Sequence, residues 1–207
     1  MQESESNSRL ETFCDGVFAI ALTLLIIDIK IPASADFHTS VEFWLVLKHM
    51  IPSVLAFVLS FIIILITWVN HHNSFKYLNK ATSSFIYANG FLLLTVVFMP
   101  FPTALLGEYI FTEYAHPAVV LFNVDLALQA LGWVLLWDTA LKNNLGKNKN
   151  SQIQIRLSRS YGYYALILYS LLAILAFWFP LPAATLTTIT WVFWLIYGIR
   201  IKHESFN

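Results

Sequence analysis

Charge is scarce in this chain: 12% of its 207 residues are Asp, Glu, Lys or Arg, against about a quarter in an ordinary soluble domain. Apolar residues make up 58% and the mean hydropathy is +0.67, so an integral membrane protein is expected and a sizeable soluble domain is excluded. Formal net charge is zero, so no basic stripe exists for a polyanion and no nucleic-acid partner is expected. One cysteine, Cys14, rules out an intrachain disulfide framework and a cysteine metal cluster. The chain also lacks a phosphate-binding Walker loop, an HExxH helix and a nucleophile elbow. Those absences argue against a nucleotide-driven pump and against an intramembrane enzyme, and no cofactor is expected. Neither a TVGYG filter nor an arginine-rich voltage sensor is present.

What the chain does have is length in apolar runs. A membrane-crossing helix needs about 20 mostly apolar residues, and six segments reach that length: 9–31, 44–69, 84–106, 117–141, 162–181 and 183–199. Pro52 is placed to kink the second, and Pro180 and Pro182 mark the turn between the last two. The opening MQESESNSRL is polar and acidic, unlike the basic start of a cleaved leader, so the first helix is expected to be retained. The expected fold is all-α: one polytopic domain over 1–207 with six transmembrane helices.

Orientation follows from the basic residues. With the N-terminus inside, Arg9, Lys76, Lys80, Lys142, Lys147, Lys149, Arg156, Arg159, Arg200 and Lys202 face the cytoplasm, and Lys30 and Lys48 lie outside, a division of ten against two. Both termini are therefore expected in the cytoplasm, with KNNLGKNKNSQIQIRLSR as the main inner loop. Trp44, Trp68, Tyr109, Tyr161 and Trp178 fit interfacial anchors.

The first span carries ionisable groups, which are costly in hydrocarbon and mark candidate functional sites. At 100° per residue, Ile20, Leu24, Ile27 and Ile31 fall within about 60° of one another, with Thr23 beside them and Asp15 on the far side. Such a stripe is read either as lipid or core packing or as a hydrophobic constriction that gates a pore by dewetting. Ile20 sits roughly 16 Å above Arg9, near the bilayer midplane. Arg9 projects by ideal geometry on the stripe side, so to join Asp15 either the helix frays before Phe13 or the arginine snorkels sideways. Asp15 and Arg9 have two readings of their own: a network that holds helices together, or a direct part in moving ions or protons.

The end of the second span, TWVNHHNSF, lies on the same side of the membrane as Asp15. Trp68 shares a helix face with His72 and lies three before His71, so an indole and an imidazole can meet the first helix together. Adjacent His71 and His72 diverge by about 100°, so no metal site is expected; they are interfacial histidines or a pH-sensitive contact. Asn89, Asn123 and Gln129 suit interhelical hydrogen bonds. Asp125 is the exception, since a carboxylate within a span has to be neutral, paired or wet.

Arg9, Phe13, Cys14, Asp15 and Gly16, followed by VFAIALTLLIIDIKIP, closely resemble the R-x-x-x-F-S-D-G signature of the first helix in bacterial members of the transmembrane protein 175 family of potassium channels. Trp68 to Phe75 resembles that family's W-x-x-H-H-x-x-F segment. The resemblance implies a potassium-selective leak channel in the bacterial cytoplasmic membrane, a homotetramer whose first helices line one central pore, with K⁺ as the permeant ion. It places the apolar gate on Ile20, further apolar layers on Leu24 and Ile27 and a threonine layer on Thr23. Arg9, Phe13, Cys14, Asp15, Trp68, His71 and His72 then correspond to the signature and to the network that buttresses the pore helix. Cys14 departs from the signature serine, and a thiol is the weaker donor. The rival readings are a proton-coupled secondary transporter using Asp15 or Asp125 and a non-conducting membrane scaffold.

Overall fold

The computed structural model describes the backbone of residues 2–33 and 37–204 and the side chains of 7–27, 29–33, 37–192 and 194–195. Among these residues the fold is helical throughout. Helix α1, Gln2–Leu24, passes into a single 3-10 turn at Leu25–Asp28. A short α2, Ser40–His49, precedes α3, Ile51–Phe75. Then come α4, Ser83–Phe98, α5, Pro100–Tyr109, α6, Ala115–Lys142, α7, Lys149–Ala176, and α8, Pro180–Glu204. Five stretches are long and apolar enough to cross a bilayer: Asn7–Ile27, Ile51–Phe75, Ser83–Tyr109, Ala115–Lys142 and Lys149–Ala176. The protein is a multi-pass membrane protein. The sixth expected segment, 183–199, falls on α8, and its side chains at 193 and 196–199 lie outside the described residues.

Prolines set the helix breaks. The expected 44–69 segment is not one kinked helix but two, divided at Met50, with Pro52 in the first turn of α3. There its missing N–H has no intrahelical acceptor to forgo. Helix α2 is a separate piece with its own capping box, in which the Thr39 hydroxyl accepts from the Glu42 N–H and Glu42 accepts from the Thr39 N–H. Pro100 likewise divides the third span into α4 and α5 at Met99. Helix α7 starts well before the expected 162, because Asn148 caps it by accepting from the Ser151 N–H. Much of the expected inner loop is therefore helical. Its polar first half is fastened to α6 by Arg159, which donates to Asp138 at 3.0 Å.

Helix α6 carries the most buried residues, which cover more than half of its circumference from Val119 to Ala140 and leave Val124, Leu128 and Leu135 on an exposed face. Lipid is as apolar as a leucine, so close packing and hydrogen bonds hold such bundles together, and small residues let backbones approach. The glycines mark those approaches. A Cβ on Gly107 of α5 would stand 2.6 Å from the Ser53 Cα of α3, and one on Gly132 of α6 would stand 3.0 Å from the Leu92 Cα of α4. Polar stitches join the same helices: Thr187 of α8 donates to Asn123 of α6 at 2.7 Å, and Ser60 of α3 pairs with Thr103 of α5 at 2.6 Å. Large buried residues of α1, α3, α4, α6, α7 and α8, among them Phe18, Ile63, Val96, Phe122, Leu172 and Trp191, form one core.

A second core lies at the end of the bundle where α3 stops. Leu78 and Leu145, each buried, sit in two loops joined backbone to backbone: Asn79 N–H donates to Leu145 O at 2.8 Å and Lys147 N–H to Tyr77 O at 3.0 Å. Asn144 supplies the positive φ of 51° that turns the chain out of α6. Asn7 of α1 donates to Asn79 O at 3.1 Å, so this clamp also holds the start of the first helix.

Gly107→Ala should lower stability by about 1–3 kcal/mol through overpacking against the Ser53 backbone. Gly90→Ala, where a Cβ meets nothing within 4 Å, should instead raise it by about 0.5–1 kcal/mol through helix propensity. Thermal unfolding of the detergent-solubilised protein distinguishes the two signs.

Candidate functional site

Helix α1 has two apolar faces with opposite fates. Cys14, Phe18, Ala21 and Leu25, spaced four, three and four apart, are each at most 1% exposed and pack into the bundle. On the other side Phe13, Ile20 and Ile27 are 63%, 60% and 69% exposed, with Thr23 and Leu24 also open. The expected column of Ile20, Thr23, Leu24 and Ile27 therefore lies on one unpartnered face of this chain. Thr23 donates to the Ile20 carbonyl at 2.8 Å, which ties its hydroxyl back to the helix.

The upper part of that face is not ideal α-helix. From Leu25 the backbone tightens to 3-10 geometry, with about 3 residues per turn instead of 3.6. Leu25 stays buried while Ile26 joins Ile27 on the open side. Ile31 lies beyond the turn and is almost wholly exposed.

The buried face of α1 is fixed by polar contacts over the stretch from Glu11 to Asp15. Helices α1 and α3 run antiparallel there, and matching four-residue spacings set two contacts one turn apart. Trp68 Nε1 donates to Asp15 Oδ1 at 2.8 Å, and His72 Nδ1 lies 3.1 Å from Glu11 Oε1. Deeper in, His71 is fully buried between Phe18 and Phe75, with ring centroids 5.2 and 5.1 Å away. Its Nε2 is 2.6 Å from Asn89 Oδ1, and the Asn89 amide donates to Cys14 Sγ at 3.1 Å. With the amide nitrogen engaged on sulfur, Asn89 Oδ1 is the acceptor and His71 Nε2 the donor.

Five of the sequence-derived network residues thus come together: Cys14, Asp15, Trp68, His71 and His72. Arg9 and Phe13 do not join them. Both stand on the exposed face with Ile20, where the projection at 100° per residue already put Arg9, and among the described residues no contact links Arg9 to Asp15. The helix continues unfrayed through Arg9. Cys14 enters the network as an acceptor, so the serine-to-cysteine change does not depend on the thiol as a donor. Glu11 was overlooked, although its spacing to Asp15 equals that of His72 to Trp68.

At the other end of α1 from this network, a crevice of about 160 Å³ opens behind the 3-10 turn. Leu25, Ile29, Phe57 and Ala104 form its apolar wall and Lys30, Thr103 and Glu108 contribute polar groups.

A family model described as endosomal/lysosomal potassium channel TMEM175 matches residues 9–100, a stretch that contains the whole network from Glu11 to Asn89. A potassium channel of Chamaesiphon minutus is 42% identical over 138 residues, 67% of this chain and 68% of that protein. The chain belongs to the TMEM175 family. A potassium channel of a Chryseobacterium species extends the similarity to 198 residues at 28% identity, 95% of this chain and 96% of its relative. The crystal structure of the lysosomal potassium-selective channel TMEM175 homolog from Chamaesiphon minutus superposes with a TM-score of 0.83 at 31% identity, covering 93% of this chain and 98% of that one. Members of the family are ion channels and not enzymes: the bacterial relatives are named potassium channels, and that of Gallus gallus, 32% identical over 151 residues that make up 68% of this chain and 29% of that protein, is named an endosomal/lysosomal proton channel. In this TMEM175 chain the family match ends at Pro100, so α5 to α8 are tied to the family by the overall fold and by the Chryseobacterium relative.

Trp68→Phe removes the donor to Asp15 and should cost about 1–3 kcal/mol by leaving a carboxylate oxygen unpaired. In an Asp15→Ala background, which has no acceptor for the indole, the same change should cost much less. Equal losses of thermal stability in both backgrounds would show that the pair does not couple.

Proposed function

We propose that this chain is the subunit of a potassium-selective leak channel, four copies of which place their α1 helices around one pore. The two-faced burial of α1 carries this reading. A helix whose Cys14, Phe18, Ala21 and Leu25 are sealed into its own bundle leaves Ile20, Thr23, Leu24 and Ile27 for a partner outside the chain. Both bacterial relatives described above are potassium channels, and a symmetric ring turns the open face of each α1 toward its copies. The proposal includes six spans with α8 as the last, both termini in the cytoplasm and residence in the bacterial cytoplasmic membrane, on the strength of the ten-to-two division of basic residues.

In that ring Ile20 forms the narrowest layer. No carboxylate or carbonyl on the exposed α1 face replaces an ion's water there, so passage costs partial dehydration, and apolar walls raise that cost by excluding water. K⁺ holds its water less tightly than Na⁺ and crosses more easily, which gives selectivity without a carbonyl filter. Thr23 sits within a turn of Ile20 and offers hydroxyls just beyond the constriction; Leu24 and Ile27 extend the apolar barrier outward. Flux is passive and electrogenic. The Asp15, Trp68, His71 and Asn89 contacts act on the far side of α1 and set the angle at which Ile20 is presented.

Ile20→Asn should raise Na⁺ flux and lower the K⁺ to Na⁺ ratio severalfold in a liposome assay. Unchanged selectivity in an active preparation would remove Ile20 from this role. Cross-linking that stops at dimers would remove the fourfold ring.

A further inference from the structure

The buried side of α3 carries hydroxyls at every seventh residue. Ser60, Thr67 and Ser74 are buried, and half-buried Ser53 precedes them at the crevice. Each level is met by a polar group from a neighbouring helix or from α3 itself: Thr103 at Ser60, Gln129 at Thr67, the Asn70 carbonyl at Ser74. At the level between Ser60 and Thr67, α6 brings in a group that the pore does not use, one turn from the Gln129 that meets Thr67. Asp125 of α6 is 1% exposed, and neither carboxyl oxygen has a hydrogen-bond partner among the described residues. One turn further along α6, Gln129 Nε2 is in the same condition, while its Oε1 accepts from Thr67 at 3.1 Å.

The packing of α6 locates Asp125. Gly132 of α6 lies against Leu92 of α4, and the two helices run antiparallel because a short turn after α5 leads into α6. Seven residues along each helix put Asp125 level with Met99, the residue at which α4 ends and α5 begins. Pro100 has no N–H, so the carbonyl of buried Val96 loses the donor that continuous helix would give it. An interrupted helix that frees carbonyls beside an acid is a recurrent way of holding a small cation or proton inside a membrane protein. By the same register Thr103, which lines the crevice, lies about 6 Å outward of Asp125.

Among the described residues no charged neighbour compensates a carboxylate here. At its level α3 offers Ser60, Ile63, Ile64 and Thr67, and its nearest titratable group is His71, a turn beyond Thr67. From α4 and α5 come Val96, Met99 and Thr103, with Glu108 and Tyr109 further out at the crevice beside Lys30. Tyr169 of α7 and the non-titrating Trp191 of α8 share the core, and Cys14 and Asp15 of α1 lie toward the inner end. Along α6 the nearest ionisable residues are His116 and Asp138.

We propose that Asp125 is an exchangeable proton-binding site inside each subunit, separate from the pore. Protonated, its carboxyl donates to the carbonyl freed at the α4–α5 break. It exchanges with water through the outer crevice past Thr103 and Ser60. The site stands whether or not Ile20 gates a pore, and it requires no coupled transport.

The test is infrared difference spectroscopy of the full-length protein in liposomes after a jump in external pH. A carboxylic-acid carbonyl band should grow on acidification, shift in Asp125→Glu and vanish in Asp125→Asn. Thr103→Val should slow its rise severalfold, and this arm, with the Asp125→Glu shift, carries the test if Asp125→Asn does not assemble. A band insensitive to pH would make Asp125 a permanently neutral structural group and overturn the proposal. So would a pH-sensitive band that survives in Asp125→Asn, or one abolished by K⁺ or Na⁺ at constant pH, which would mark a metal-cation site. Thr103→Val with the parent's rate would overturn the route.

Discussion

The structure depends on one helix being held firmly by a single side. From Gly16 to Ile27 the first helix is apolar almost all round, and hydrophobicity cannot choose which face turns inward when lipid is the alternative. Hydrogen bonds make that choice. Trp68 to Asp15, with His71 to Asn89 and Asn89 to Cys14 beside it, fixes the rotation of α1 about its own axis. A slip of one residue would swing every side chain of α1 by about 100°, breaking the two bonds made to it, Trp68 to Asp15 and Asn89 to Cys14, and removing Phe18 and Leu25 from the core. The network thereby sets which residues the helix offers to the outside, although it touches none of them.

Much of this was written in the chain. Apolar runs located the helices, because backbone that must satisfy itself in lipid leaves little other choice. The 3.6-residue period placed Ile20, Leu24 and Ile27 on one face and Asp15 on the other, and the exposures agree. Boundaries were less legible. Pro52 reads as a kink or a helix start with equal ease, and only the separate capping of α2 by Thr39 and Glu42 distinguishes them. The early start of α7 was hidden by its polar first turns, which hydropathy reads as loop and which Asn148 and the Arg159 to Asp138 bond hold as helix.

The site was legible where two helices have to match and obscure where three do. The pairing of Asp15 with Trp68 follows from equal spacings on antiparallel helices, and the same rule would have yielded Glu11 with His72. Asn89 gave no such sign. It comes from α4 to bridge α1 and α3, so its part depends on a tertiary arrangement that no local period encodes. Phe13 shows the converse. It belongs to the signature by sequence, yet its position seven before Ile20 puts it on the open face.

The two fastenings of α1 also have a mechanical reading. Asn7 is tied to the loop clamp, and Glu11, Cys14 and Asp15 are tied to α3 and α4, all within the first half of the helix. Toward its other end α1 is held by the packing of Ala21 and Leu25 and then tightens into the 3-10 turn beside a crevice. That is the layout of a cantilever, clamped by polar contacts at its root and held at its tip by apolar packing. Its softest displacement is a swing of the tip, growing with distance from the root, so Ile27 travels further than Ile20 for the same bend.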